Sequence, residues 1–175
     1  VRIAKILGLD EILKLSNELD IYDDIPELLS VSLGAAETTL INLTSAYAPF
    51  VNGGKKIHPK LISRIQDRRG KTIFQDKDRK CLGCDNFVDS NSELPKIEST
   101  SKKIISEETA YQMASILQGT VERGTAKKLK TLKVPLAGKT GTTNDNYDAW
   151  FIGFSSNLVI GVYIGFDNPK TLGKN

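Results

Sequence analysis

Apolar residues recur every three or four positions in several parts of the chain, a pattern typical of amphipathic helices. In residues 1–20 the pattern is interrupted at Gly8, which predicts two short helices rather than one. A second stretch, residues 32–54, predicts a longer helix that Thr38 or Thr39 could cap and that two adjacent glycines end.

The second half of the chain combines one clear helix with several strand patterns. Ser106 is a favourable N-cap, two glutamates follow it, and Gly124 ends the helix. Three strand candidates come next, "PLAGKTGTT", "DAWFIGFS" and "LVIGVYIGF", and the short turn "SSN" joins the last two. Earlier, "LISRIQDRRGKTIFQ" predicts a hairpin, whereas the polar residues 76–103 predict a long loop or an insertion.

Helices followed by neighbouring strands with short connections predict an α+β fold, in which helices pack on an antiparallel sheet. With 175 residues, of which 39% are hydrophobic and 26% charged, the chain can form one domain and does not have a disordered composition. The net charge of +3 is spread along the sequence, and we expect no nucleic-acid partner. Val1 is not an initiator methionine, so we interpret the sequence as a fragment.

The stretch "LAGKTGTTND" allows two chemical interpretations. Gly138, Lys139 and Thr140 could end a phosphate-binding loop, which needs another glycine five positions earlier and a helix after it. The residue five positions earlier is Lys133, and the sequence that follows, "NDNYDAWFIGF", predicts a turn and a strand. Because both requirements fail, nucleotide binding is not expected.

The second interpretation places "KTGT" on an edge strand that faces a cleft. Side chains alternate along a strand, so Thr140 and Thr142 would share one face and Lys139 would lie on the other. Gly141 would remove a side chain where a substrate backbone has to lie close. Two hydroxyls and a lysine can hold a carboxylate, and a free strand edge can pair with a peptide.

The sequence around "KTGT" makes this otherwise weak motif specific. The segments "LGAAETTLINLTSAYAPFVNGG", "ISEETAYQMASILQGTVERGTA" and "GVYIGFDNP" occur in an order and spacing that resembles the C-terminal part of the transpeptidase domain of class A, bifunctional penicillin-binding proteins. The resemblance covers nearly the whole of residues 1–175 except roughly residues 76–103.

The resemblance implies a serine β-lactamase/transpeptidase-like fold, here incomplete, and a reaction. In this family a serine attacks the D-Ala-D-Ala end of a peptidoglycan stem peptide, and the acyl group passes to an amine of a neighbouring stem, whereas β-lactams acylate the serine lastingly. By the match to the motif, Lys139 would be catalytic, and Thr140, Gly141 and Thr142 would bind the substrate or β-lactam. Thr142 N–H would also donate to the oxyanion.

The nucleophile of this reaction is expected to lie upstream of Val1. "STSK" at residues 99–102 spells Ser-x-x-Lys, but it lies in a polar stretch ahead of the helix that begins near Ser106. "SSN" at residues 155–157 spells Ser-x-Asn, but it lies in a predicted hairpin turn. We interpret both as chance matches and expect the fragment alone to be inactive.

The resemblance also implies the setting of the intact protein. The intact protein would carry a glycan-polymerising domain and a single-pass membrane anchor, and it would face the periplasm. It would work in a cell-wall synthesis complex. It would need no metal or organic cofactor. Two other functions remain open. One is a D,D-carboxypeptidase or β-lactamase-type serine hydrolase, and the other is a non-catalytic member that binds β-lactams or serves as a scaffold.

Cys81 and Cys84 form a Cys-x-x-Cys pair within residues 76–103. A structural zinc site needs two more ligands, and the sequence has no second pair. In an oxidising periplasm we expect a small local disulfide, with zinc shared between two molecules as the alternative. We assign no catalytic or metal-binding role to His58, the single histidine.

Overall fold

The computed structural model of the protein describes residues 1–76, 79–82 and 95–173. The chain divides into two compact units, one formed by residues 58–102 and the other by residues 1–57 together with 103–175. We call them the smaller and the larger unit. The motif "KTGT" belongs to the larger unit.

The larger unit begins with two short helices, as the interruption at Gly8 predicted. Helix α1 spans Arg2–Leu7, and helix α2 spans Leu9–Glu18. Gly8 has a φ of 87°, a backbone conformation that residues with a side chain rarely adopt. The glycine therefore permits the change of direction between the two helices.

Helix α3 spans Leu40–Ala46 and is shorter than the helix predicted within residues 32–54. Thr39 is its N-cap, as predicted, because the threonine hydroxyl accepts a backbone hydrogen bond at 3.2 Å. The helix stops early because Pro49 has no N–H to donate and its ring crowds the preceding turn. A 3₁₀ turn at Ala48–Phe50 replaces the predicted last part of the helix.

Helix α4 spans Glu107–Glu122 and confirms the clearest helix prediction. Its N-cap is Ser106, whose hydroxyl accepts a hydrogen bond from Thr109 N–H at 3.2 Å. The Glu108 backbone N–H and then the Ser106 hydroxyl hold the pKa of the Glu108 carboxyl below its usual value. Beyond α4 the chain forms a 3₁₀ turn at Lys127–Leu132.

The described residues of the smaller unit form two antiparallel strand pairs. Strand β1, Arg64–Gln66, pairs with β2, Thr72–Gln75, which confirms the predicted hairpin. Strand β3, Arg79–Leu82, pairs with β4, Lys96–Ser99. The second pair lies inside residues 76–103, which the sequence predicted as irregular. These strands have only four residues each and many charged side chains, so they present no apolar alternation to detect.

The larger unit contains a three-stranded antiparallel sheet. Strand β5 spans Ala137–Thr142, β6 spans Asp148–Phe154 and β7 spans Val159–Gly165, in the spatial order β5-β6-β7. Ser155 N–H donates to Leu158 O at 2.9 Å and closes the turn predicted between β6 and β7. Helices packed on an antiparallel sheet confirm the α+β class.

The core of the larger unit lies between helix α4 and this sheet. Leu117 of α4 packs against Ala137 of β5 and Phe154 of β6, and all three residues are buried. Burial of side chains the size of Leu or Phe stabilises a fold by about 1.5–3 kcal/mol each. The partly buried hydrophobic residues around this cluster are Tyr47, Phe50, Val51, Ala114 and Val159. The packing holds β5 against α4 and so fixes the position of "KTGT".

Candidate active site

The motif "KTGT" forms the last four residues of β5, at the edge of the sheet. Strand β5 pairs along its length with β6, and in the part of the chain that the structure describes no strand pairs with its other side. An outer strand carries backbone N–H and C=O groups that can pair with an extended peptide. The structure therefore agrees with the edge strand expected from the sequence.

The side chains of "KTGT" lie on two faces of the sheet, and their partners on β6 show which residues share a face. Thr140 lies opposite Phe151, and Lys139 lies opposite Ile152. Cross-strand partners share a face, so Thr140 and Thr142 lie on one face and Lys139 on the other. Residues two apart on a strand are about 7 Å apart. A carboxylate that accepts a hydrogen bond of about 2.7 Å from each threonine hydroxyl can bridge such a span.

The side chain of Lys139 folds back onto its own strand, β5. The side chain is exposed, and its Nζ donates to the backbone carbonyl of Thr140 at 2.6 Å. Among the residues that the structure describes, no carboxylate lies within ion-pair distance of Lys139. The ammonium group is therefore available to an anionic ligand beside the strand.

Gly141 lies against an aromatic side chain. A Cβ added at Gly141 would be 3.2 Å from Trp150 Cβ, which is closer than an ordinary van der Waals contact. Trp150 packs edge-to-face on Tyr163, with 4.9 Å between the ring centroids. The structure thus gives Gly141 a packing role that the sequence did not suggest. Its predicted contact with a substrate backbone stays a prediction.

The structure adds Thr125, a residue that the sequence analysis did not select. Its Oγ1 lies 2.8 Å from Thr140 Oγ1, and either oxygen could be the donor. Thr125 belongs to the segment "GTVERGTA", which begins in the last turn of α4, and it precedes Thr140 by fifteen positions. That segment supported the family resemblance, but no spacing rule connects Thr125 with the strand.

The loop after β5 is a hydrogen-bonded turn. Thr143 N–H donates to Asp148 O at 3.3 Å, and Asp148 N–H donates to Thr143 Oγ1 at 3.0 Å. Asp145 and Asn146 have φ values of 59° and 54°, a left-handed conformation that Asp and Asn tolerate better than most residues. Strand β6 follows this turn. A phosphate-binding loop would lead into the N-terminus of an α-helix, and among the described residues no α-helix follows β5.

The two short serine motifs have ordinary local structures. Ser99 is the last residue of β4, and helix α4 begins only at Glu107, so Lys102 does not lie one helical turn after Ser99. Ser155 Oγ donates to Asn157 Oδ1 at 3.0 Å within the turn between β6 and β7. These placements agree with the interpretation of both motifs as chance matches.

The described residues offer no evident metal site. In residues 1–76, 79–82 and 95–173, no three His, Cys, Asp or Glu side chains are grouped so that they could hold a metal ion. Cys81 is disulfide-bonded, in agreement with the expected oxidised state. Cys84 lies outside the described residues, so the pairing of Cys81 with Cys84 stays a prediction.

Comparison with known proteins decides the family. A family model described as "Penicillin binding protein transpeptidase domain" matches residues 23–175. The chain belongs to this family. A protein named Penicillin-binding protein 1A from Rickettsia conorii is 41% identical over 177 residues, which cover 99% of the chain and 22% of that relative. The protein of the same name from Pseudomonas aeruginosa is 32% identical over 205 residues, covering 99% of the chain and 25% of that relative.

A solved structure supports the same assignment. The crystal structure of Penicillin-Binding Protein 1A from Haemophilus influenzae matches with a TM-score of 0.78 and 32% identity, over 99% of this chain and 29% of that one. The chain thus spans less than a third of the length of these relatives. The resemblance to the C-terminal part of a class A transpeptidase domain is confirmed. Within the described ranges, no helix of this transpeptidase segment is long and apolar enough to cross a membrane.

Proposed function

We propose that the chain forms the Lys-Thr-Gly wall of the active-site cleft in a peptidoglycan D,D-transpeptidase. The observation that carries this proposal is the edge strand β5. It combines an exposed lysine that is not paired with a described carboxylate, two threonines on one face, and a backbone edge with which no described strand pairs. In a penicillin-binding transpeptidase domain, that combination suits a peptide that ends in a carboxylate.

The chemistry assigns a separate task to each group of the strand. The hydroxyls of Thr140 and Thr142 would hold the carboxylate of the terminal D-Ala or of a β-lactam. Thr142 N–H would donate to the oxyanion that develops when the substrate carbonyl is attacked. Lys139 would lie near the nucleophile, stabilise negative charge and assist proton transfer. Gly141 would leave room for the substrate backbone.

The nucleophile in this proposal is a serine that precedes Val1. Its oxygen attacks the carbonyl carbon of the penultimate D-Ala, and the bond to the terminal D-Ala breaks as that amine takes a proton. An amine of a neighbouring stem peptide then attacks the acyl-serine and regenerates the serine hydroxyl. A β-lactam acylates the same serine, and its opened ring stays attached.

We propose that the intact protein has a second activity and the cellular location that the family resemblance implies. It would also polymerise glycan strands, hold to the cytoplasmic membrane by a single span, face the periplasm and take part in a cell-wall synthesis complex. Residues 76–103 would form an insertion or a long loop of the domain. The similarity to proteins named Penicillin-binding protein 1A over 99% of the chain supports this setting. A carboxypeptidase or β-lactamase function has only the Lys-Thr-Gly triplet in its favour.

Labelling with a fluorescent penicillin tests the proposal. We expect the complete protein that contains this chain to acquire one covalent label, which prior treatment with unlabelled penicillin blocks. We expect residues 1–175 alone to acquire none, because the attacking serine is missing from them. Mass spectrometry of the labelled peptide identifies the serine that carries the label.

The outcomes separate the alternatives. Label on Ser99 would contradict the proposal that the nucleophilic serine precedes Val1. A complete protein that binds penicillin reversibly but never forms the covalent bond would instead favour the non-catalytic function. A complete protein that is labelled and then rapidly releases hydrolysed penicillin would favour a β-lactamase-type hydrolase.

A further inference from the structure

Thr125 lies in a tight turn that directly follows helix α4. Ala126 N–H donates to Thr120 O at 3.1 Å, and the Ala126 side chain is buried. Gly124 lies so close to the helix that an added Cβ would be 2.8 Å from Thr120 Cα. The backbone around Thr125 is therefore fixed by its packing on α4, and α4 is itself packed on β5 through Leu117.

The turn brings the hydroxyl of Thr125 to the middle of the edge strand. Its Oγ1 lies 2.8 Å from Thr140 Oγ1, within ordinary hydrogen-bond distance. Thr125 is exposed and Thr140 is half-buried, so the pair lies at the surface of the proposed cleft. In the part of the chain that the structure describes, this is the one side-chain hydrogen bond found for either hydroxyl.

The direction of this hydrogen bond matters because each hydroxyl has a single proton. A carboxylate only accepts hydrogen bonds. If Thr140 donates to Thr125, it has no proton left for a carboxylate. If Thr125 donates to Thr140, the Thr140 proton stays free, and the hydroxyl becomes a stronger donor because consecutive hydrogen bonds polarise one another.

We propose that Thr125 is a positioning residue for the carboxylate subsite: its hydroxyl donates to Thr140 Oγ1 and directs the Thr140 proton towards the carboxylate of a bound stem peptide or β-lactam. The inference rests on the proposed function of β5. It adds a residue outside the motif that determines how well Thr140 binds an anion. Thr125 itself need not touch the ligand.

The test compares acylation of the complete protein by benzylpenicillin and by its methyl ester, which lacks the negative charge. We expect Thr125→Val to lower the second-order acylation rate constant for the free acid about fivefold, the effect of losing one ordinary hydrogen bond. We expect the rate constant for the ester to stay within about twofold of its original value. Thr125→Ser keeps the hydroxyl and should restore the preference for the acid.

Thr131→Val is the matched control. Thr131 is also an exposed threonine after α4, and its hydroxyl donates to Lys128 O at 2.9 Å and not to a residue of β5. Thr125→Ala repeats the experiment in case the valine variant folds poorly. Circular dichroism and the melting temperature verify that the variants compared are folded.

Each outcome either supports or overturns the positioning role of Thr125. A loss of preference for the acid in Thr125→Val but not in Thr125→Ser or Thr131→Val supports it. Equal slowing of acid and ester, or no difference from Thr131→Val, overturns it and reduces Thr125 to a structural residue. If Thr140→Val slows the acid while Thr125→Val does not, the inference fails and the proposed function stands. If the original protein is not acylated at all, the proposed function fails as well.

Discussion

Replacement of Lys139 by alanine in the complete protein is expected to lower the rate constant for acylation by penicillin about 10²- to 10³-fold. Lys139 is exposed, its Nζ lies 2.6 Å from the Thr140 carbonyl oxygen, and no described carboxylate neutralises it. In the proposed mechanism, its loss removes a positive charge near the nucleophile and the group that would assist proton transfer. Stopped-flow measurement with a chromogenic β-lactam gives the rate constant.

Lys128→Ala is the control for the Lys139 substitution. Lys128 is another exposed lysine of the larger unit, in the 3₁₀ turn after α4, so its replacement changes the net charge equally. We expect its rate constant to stay within about twofold of the original value, because no described ion pair involves Lys128 and exposed charges contribute little. Similar kinetics for the two lysine variants would contradict the catalytic role of Lys139.

Removal of both threonine hydroxyls from the edge strand should produce the second large effect. If the proposed roles are right, Thr140→Val and Thr142→Val each remove one hydrogen bond to a charged carboxylate, which is worth about 1.5–3 kcal/mol. Each change should therefore slow acylation by the free acid of penicillin at least about tenfold, and the two together at least about a hundredfold. The methyl ester should be much less affected. Saturation kinetics then show whether the loss lies in binding or in the acylation step.

Thr131→Val again serves as the control, since it removes a surface hydroxyl that lies outside the strand. If the double variant kept the original preference for the free acid over the ester, the carboxylate would have to bind elsewhere. The roles given to Thr140 and Thr142 would then be withdrawn, although the family assignment would remain.

The features predicted from the sequence are those that depend on near neighbours. The caps Thr39 and Ser106 follow from the hydrogen-bonding side chains at helix starts, and the short α1 and α2 follow from the glycine between them. The strand pattern around "KTGT" and the turn at residues 155–157 are also local. These elements could be identified because backbone geometry and side-chain type are coupled within a few residues.

Other features depend on competition or on distant contacts. The sequence pattern predicted a helix within residues 32–54, but Pro49 ends the α-helical hydrogen bonding at α3. The hydrogen bond between Thr125 and Thr140 depends on the return of the chain after α4, and no repeat in the sequence encodes that distance. The packing of Gly141 on Trp150 required the register of β5 on β6, which the sequence does not specify.

A crystal structure of the complete protein acylated by benzylpenicillin would examine the central claim at atomic level. We predict that the drug lies antiparallel to β5, with its carboxylate oxygens about 2.5–3.0 Å from the hydroxyl oxygens of Thr140 and Thr142. A carboxylate bound on another wall of the cleft, with both hydroxyls facing only solvent, would contradict the account.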